Sequence, residues 1–451
     1  MRRPDLLLLL VAIALIPALA LGVEDGPPSG EPQPNGAVDP SASPFAAPDP
    51  GLLRCLSGEI EPSSGDSLDP ASLGPDRLVE LVSAQVEELR ELRFAAPVDA
   101  RFLTDSQLRD RISELLQRER TPRAGVLEGD VLELLGAIPA RIDLNDLEER
   151  ALGSQVAGLY SPETRELLVR SSGEPGTLEL LALAHELEHA LADQRLGLRD
   201  DGGAGPGDRE LAYLAVVEGD ATLLMARYAV AHVGLAGQIE SLGDSVPGAG
   251  QFEALPDYVQ RSLLFPYLDG LRLVCARWLR GGWDAVDHLY DHPPSSTAEV
   301  ISPERYGDRR PIEPRDPGRL PPPWRSRTAR DLGPAELEWL FSAPGGDSTR
   351  ALPDPRRLVS TWAGGELELW ASGPDRALGI ALAELPQAEL LCGAMAAWYR
   401  AMSESSVSGG ERADEELVFA ASARSAVLAC PGRQVRLGIA PDEATARLLV
   451  N

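Results

Sequence analysis

Two histidines one helical turn apart, flanking a glutamate inside an almost unbroken apolar run, constrain this chain more than any other feature. The run extends from Leu178 to Gln194, and within it His185-Glu186-Leu187-Glu188-His189 reads HExxH. Leu178, Leu181, Leu183, Leu187 and Leu191 cover most directions around the axis, which predicts a buried helix. Residues i and i+4 lie on one helical face, so His185 and His189 can direct both rings at one ion. Two histidines and two glutamates in such a helix need partners, because unpaired buried charge is costly. Zinc is the expected partner. It would lower the pKa of a bound water to about 7, and Glu186 stands where a carboxylate could take that water's proton. The competing reading is a pair of core histidines hydrogen-bonded to carboxylates. The chain holds only five histidines, which makes two at this spacing informative.

A catalytic zinc takes three protein ligands and keeps a fourth position open. The residues after His189 are Ala-Leu-Ala-Asp-Gln-Arg, so the HExxHxxGxxH arrangement with a third histidine is absent. A glutamate from a following helix is the other common solution. Glu218, in Val217-Glu-Gly-Asp-Ala221, is the preferred ligand, since an unpaired carboxylate on that apolar helix would be expensive. Gly219 beside it would let the metal helix come close. Glu210 is the weaker choice because the start of a helix favours glutamate anyway. Asp220 is expected to support the site from outside the ligand shell, and Asp193 to serve there or in helix packing. His232 is a further histidine that could ligate, with a satisfied core or surface position as the plainer reading. His288, Tyr290 and His292 lie in an aromatic stretch and could stabilise an oxyanion. His292 is preferred, since it leads into Pro293-Pro294 and a capping box of Ser296 with Glu299.

The formal charge of -28 argues against nucleic acid and anionic membrane surfaces as partners. All 42 basic residues are arginine, which excludes Schiff-base lysines, Ser-Lys dyads and the phosphate-binding lysine of P-loops. Met1-Arg-Arg, the apolar Leu6–Ile16 and an Ala18-x-Ala20 site have the layout of a secretory signal, so the protein is expected to be secreted or envelope-associated. Membrane contact is expected only if residues 1–22 remain as an uncleaved anchor. Four cysteines, none in CxxC spacing, allow two disulfides in three pairings, of which Cys392 with Cys430 is preferred.

Composition divides the chain further. Residues 23–72 are dense in Pro, Gly, Ser and Asp and predict a disordered tether. Apolar spacing predicts helices from Leu78 to Leu92, from Leu108 to Leu116 behind Thr104, and from Val126 to Ile138. Val156–Tyr160 and Glu166–Arg170, joined by Ser161-Pro-Glu-Thr164, predict a hairpin directly before the HExxH helix. Such a strand can hold an extended substrate by strand addition, or simply cover the core. Further helices are predicted at 209–230 and 258–280. The Pro/Arg-rich segment 307–335 reads as a linker that ends a domain of residues 73–306. Beyond it, strands at 366–371, 377–383, 417–421, 425–429 and 435–439 with a helix at 387–402 predict a small α+β module over 336–451. The whole is expected to be α+β and mostly α.

Gly158-Leu-Tyr-Ser-Pro-Glu-Thr-Arg165, His185-Glu-Leu-Glu-His-Ala-Leu-Ala-Asp-Gln194 and Val217-Glu-Gly-Asp-Ala-Thr222 together resemble a family of exported bacterial and archaeal zinc metallopeptidases. Phe265-Pro-Tyr267 with Gly270, Gly281-Gly-Trp283 and Pro293-Pro-Ser-Ser-Thr297 extend the likeness across roughly residues 75–310. It departs at Ile301-Ser302 and Ala298, where Leu-His and a glutamate are more usual. His292-Pro-Pro294 is also similar to a His-Pro segment of minigluzincin-like membrane endopeptidases. The resemblance implies a gluzincin-like zincin fold, zinc on His185, His189 and Glu218, and Glu186 as base. The function expected is an exported zinc-dependent endopeptidase acting on a protein or peptide substrate. The alternative is a non-catalytic cell-envelope binding protein that retains a structural or inactive zinc site.

Overall fold

The computed structural model describes residues 10–12, 50–58, 60, 73–119, 122–140, 142, 156–171, 173, 176–198, 207–233, 252–307, 311–312, 317–385, 390–403, 406–409, 416–420 and 424–451. The structure is α+β and mostly helical, as expected. Most of the expected signal (1–22) and tether (23–72) lies outside the described residues.

Strands β1 (Leu10–Ala12), β2 (Ala100–Leu103), β3 (Val156–Ser161) and β4 (Glu166–Arg170) make one sheet in the spatial order β1-β3-β4-β2. β3 and β4 are the predicted hairpin, with Leu159 opposite Leu168. β2 lies parallel to β4 on its other side, which makes β4 an interior strand. The expectation that Glu166–Arg170 could receive a substrate strand is therefore corrected: both of its edges are already hydrogen-bonded.

Alternation along the hairpin sends side chains to two cores, as a period of two requires. Tyr160, Leu167 and Val169 meet α2 (Pro75–Arg90) and the HExxH helix on one face. Leu159 and Leu168 join the larger core on the other, together with α3 (Asp105–Glu119) and α4 (Pro122–Leu134). α3 begins where Thr104 predicts, and the Gln107 amide donates to the Thr104 hydroxyl. One element was not anticipated. α1 (Pro50–Ser57) falls inside the expected tether, where Leu52, Cys55 and Leu56 pack on the large core. Its Cys55 is bonded to Cys275, and the Cys55 carbonyl accepts from the Arg227 guanidinium at 2.7 Å.

α5 (Thr177–Arg195) is the HExxH helix, followed by α6 (Asp208–Tyr228) and α7 (Asp257–Asp291). α7 runs past the expected end near Arg280, but Gly281 and Gly282 leave helical geometry, and Gly282 sits at φ 63°. Two successive glycines let the axis bend there and resume at a new rotation. A short helix, α8 (Thr297–Ile301), follows.

The second sheet is seven-stranded and antiparallel throughout. β5 (Arg325–Asp331), β6 (Trp362–Ser372), β7 (Asp375–Glu384), β8 (Ser406–Gly409), β9 (Leu417–Ala420), β10 (Ser425–Ala429) and β11 (Gln434–Ala440) run in the order β5-β6-β7-β11-β10-β9-β8. α9 (Pro334–Ser342), α10 (Pro355–Val359) and α11 (Leu391–Ser403) lie toward the large core, while α12 (Glu443–Leu448) covers the opposite face through Ala446 beside Trp370 and Val427. Cys392 and Cys430 are bonded, the preferred pairing. β5 comes from the segment read as a linker, so 307–335 contributes an edge strand rather than a loose join. Trp339 of α9 meets Tyr258 and Phe265 of α7 edge-on, with ring centroids 5.4 and 5.6 Å apart. The large core is thus shared by both parts of the chain.

Candidate metal centre

From Leu181 to Ala192 every residue of α5 is buried, which explains why its apolar pattern covers all directions. Glu179 supports the helix start by accepting the Gly176 amide at 3.1 Å. His185 and His189 sit one turn apart with ring centroids 4.7 Å apart and planes nearly perpendicular. Both Nε2 atoms face the same Glu218 oxygen, Oε2, at 3.2 Å from His185 and 3.5 Å from His189. The three potential ligand atoms all lie within 4.8 Å of one another. Glu218 comes from α6 at the position preferred from sequence.

The chemistry of these donors fits a divalent ion. Burial is the main cause that pushes His185 down to about 4 and His189 down to about 3, so both rings are neutral, as ligation requires. Burial also raises the Glu218 carboxyl. His189 Nε2 and Glu218 Oε1 are buried with no hydrogen-bond partner. Polar atoms left this way in a protein interior call for an explanation, and a shared cation supplies one. His185, His189 and Glu218 are the residues that would hold it.

Glu186 lies in the same interior. It is fully buried, and neither carboxylate oxygen makes a hydrogen bond of ordinary geometry. Burial, reinforced by the negative charge of Glu218, raises its carboxyl well above the usual range, and the Tyr160 backbone opposes this. β3 passes directly over it at Gly158, where a Cβ would stand 2.7 Å from Glu186 Cγ. Two turns further along, α5 is tied to the same strand, since the Tyr160 hydroxyl donates to Asp193 at 2.8 Å. Asp193 therefore fixes helix to strand, as anticipated in outline.

Other expectations are redirected. Asp220 does support the site from outside, but its partners are Arg90 at 3.0 Å and the Tyr290 hydroxyl at 2.9 Å. Gly219 admits α7 rather than the metal helix, because its α-carbon faces the Gly270 backbone. Glu210 is half-buried at the start of α6, outside the ligand cluster. His232 lies against Tyr228, with ring centroids 4.9 Å apart and planes tilted by 46°.

His292 does not reach the centre. It is exposed at the end of α7 and stacked on the equally exposed His288 at 4.1 Å, while its carbonyl accepts the Tyr306 hydroxyl. Tyr290 turns inward, so the flanking histidines, about 200° away around the helix, must turn out. The expected capping box also differs: the Glu299 carboxylate accepts from the Ser295 amide and hydroxyl, and Ser296 contributes no side-chain cap.

Two residues at the centre escaped the sequence reading. Tyr267 is buried, its ring lies 6.2 Å from that of His185, and its hydroxyl donates to Glu218. Phe265-Pro-Tyr267 belonged to the resemblance, but nothing local distinguished this tyrosine from a core aromatic. The other is Arg90, fully buried at the end of α2 and joined to Glu188 at 2.9 Å. An arginine in the last turn of a helix is ordinary, so its burial carried no sequence signal. No family model, curated protein or solved structure matches the chain.

Proposed function

We propose that this protein is an exported zinc-dependent endopeptidase in which His185, His189 and Glu218 hold the metal and Glu186 is the general base. The observation that carries the reading is the position of Glu186: a fully buried carboxylate, one residue from a ligand histidine, in the interior that also holds all three ligand atoms. A structural zinc takes four protein ligands, and the cluster found among the described residues offers three. Bound zinc would act as a Lewis acid toward water and the scissile carbonyl. Glu186 accepts the proton of the attacking water and returns it to the leaving amine. Tyr267 holds Glu218 from behind. An extended peptide would add to β3, whose outer edge pairs with Leu10–Ala12. Cleavage after Ala20 on export would remove that segment and free the edge. The resemblance to exported zinc metallopeptidases supports the same activity and the same compartment, and two disulfides suit that compartment.

Zinc analysis of the purified protein, with casein or peptide-library cleavage by wild type and Glu186→Gln, tests this. Wild type should hold one zinc and cleave. The variant should hold zinc and lose about 10^2- to 10^4-fold in rate, the usual contribution of a general base. Zinc bound by both with cleavage by neither would overturn the enzymatic reading in favour of a non-catalytic metal site.

A further inference from the structure

Behind the ligands lies a buried ionic cluster that the chemistry above does not use. Arg90 is fully buried, and its guanidinium reaches carboxylates from three helices: Glu188 of α5 through Nε at 2.9 Å, Asp220 of α6 through Nη2 at 3.0 Å, and Asp287 of α7 through Nη2 at 2.6 Å. The Tyr290 hydroxyl adds a second bond to the same Asp220 oxygen. The central carbon of the guanidinium lies over the Trp283 ring, 4.4 Å from its centroid, and the Trp283 indole donates to the Leu89 carbonyl. Arg90 is thus held both by carboxylates and by an aromatic ring.

A buried ion pair is poor evidence for stability, since well-packed apolar side chains would serve as well. What a planar guanidinium adds is direction, because its donors have a fixed fork geometry. The residues it holds are informative in this respect. Glu188 immediately precedes ligand His189, and Asp220 lies two residues beyond ligand Glu218. At about 100° per residue, Asp220 leaves α6 on nearly the opposite side from Glu218. A guanidinium bound to Glu188 and Asp220 together therefore fixes the rotation of α5 against α6, which decides whether the Glu218 oxygen meets both histidine nitrogens.

Building on the zinc reading, we infer that Arg90 is the positioning residue of the metal centre, clamping Glu188 and Asp220 so that Glu218 faces His185 and His189. Asp287 is the dispensable arm, being part-exposed and carrying no neighbouring ligand.

The test uses the full chain as wild type, Arg90→Met, Arg90→Lys and Asp287→Asn. Zinc dissociation constants come from chelator competition, the visible spectrum of the cobalt-substituted protein reports ligand geometry, and circular dichroism checks the fold of each metal-free form. Loss of a partner outside the ligand shell typically weakens metal binding 10- to 100-fold. Arg90→Met should fall in that range with an altered cobalt spectrum. Arg90→Lys, a point charge without the fork, should lie between it and wild type. Asp287→Asn should match wild type. If Arg90→Met does not fold, Arg90→Lys decides by the same two readouts. Folded Arg90 variants with wild-type zinc affinity and an unchanged cobalt spectrum would overturn the inference. Wild type that binds no zinc would instead overturn the metal reading beneath it.

Discussion

Gly158 shows how much of this centre depends on single residues. It lies on β3 over Glu186, and any larger residue would put a Cβ 2.7 Å from Glu186 Cγ and 3.2 Å from Oε1, closer than ordinary carbon contacts. Strand and side chain cannot both stay where they are. Gly158→Ala should therefore displace the Glu186 carboxyl, the proposed base, while His185, His189 and Glu218, the proposed ligands, stay in place. We expect zinc content to stay at one per chain and kcat to fall at least about tenfold, which is about 1.4 kcal/mol in the barrier. Steady-state kinetics with metal analysis would decide it, and an unchanged kcat would show that Glu186 is not held by this contact. The residues legible in the sequence were those whose signal is local. His185 and His189 carry their geometry in their spacing, and Glu218 stood out as a carboxylate on an apolar helix. Gly158, Tyr267 and Arg90 matter through partners far away in the chain, Arg90 through residues 98, 130 and 197 positions distant. The exposure of His292 has a related cause. Its orientation depends on how α7 resumes after the Gly281–Gly282 bend, and no periodicity crosses that break.

Among the elements, the crossing of α6 and α7 sets where Glu218 stands. The two helices meet backbone to backbone: a Cβ at Gly219 would run into the Gly270 carbonyl group, and one at Gly270 into the Ala215 carbonyl. Small residues are what allow such an approach, and rigid backbone on the other side leaves nothing that can give way. The same contact brings Tyr267, one turn before Gly270, to Glu218, one residue before Gly219. Gly219→Val should force the helices apart, destabilise the protein by about 3 kcal/mol, the upper part of the overpacking range, and lower zinc affinity with it. Urea denaturation and chelator competition would measure both, and a variant with wild-type midpoint and affinity would contradict the crossing described here. The helices themselves were readable from apolar spacing. Their crossing was not, because a glycine in a helix announces a close approach without naming what approaches. α1 was hidden for another reason: its few apolar residues sit in a Pro/Gly-rich stretch, and its anchors, Cys275 and Arg227, lie far along the chain.

Across the whole molecule, one buried carboxylate joins the parts that composition had separated. Asp208 opens α6 and accepts from Thr297 of α8, through the hydroxyl at 2.5 Å and the amide at 3.1 Å. The Thr297 hydroxyl in turn accepts the Ala335 amide of α9 at 3.1 Å, and Asp208 lies against Gly333. The expected linker thus ends at a junction, and the C-terminal sheet is coupled to the helix that carries Glu218. Burial is the main cause that raises the Asp208 carboxyl from 3.8 to about 7, the Thr297 bonds oppose it, and the charges of Glu336 and Asp331 add to it. The folded state therefore binds a proton that the unfolded state has released between about pH 4 and 7, so this group's contribution is fully present below pH 4 and lost as pH rises through 7. A displacement of that size corresponds to roughly 4 kcal/mol. With a net charge of -28, general repulsion also weakens the fold as pH rises, so the comparison has to be with a variant. Asp208→Asn is neutral at every pH and keeps an oxygen for the Thr297 amide. Its urea midpoint should fall less steeply than that of wild type from pH 4 to 7, and the two curves should run parallel above pH 8. Parallel curves over the whole range would mean that Asp208 is charged in the folded protein and that its proton affinity is unchanged by folding.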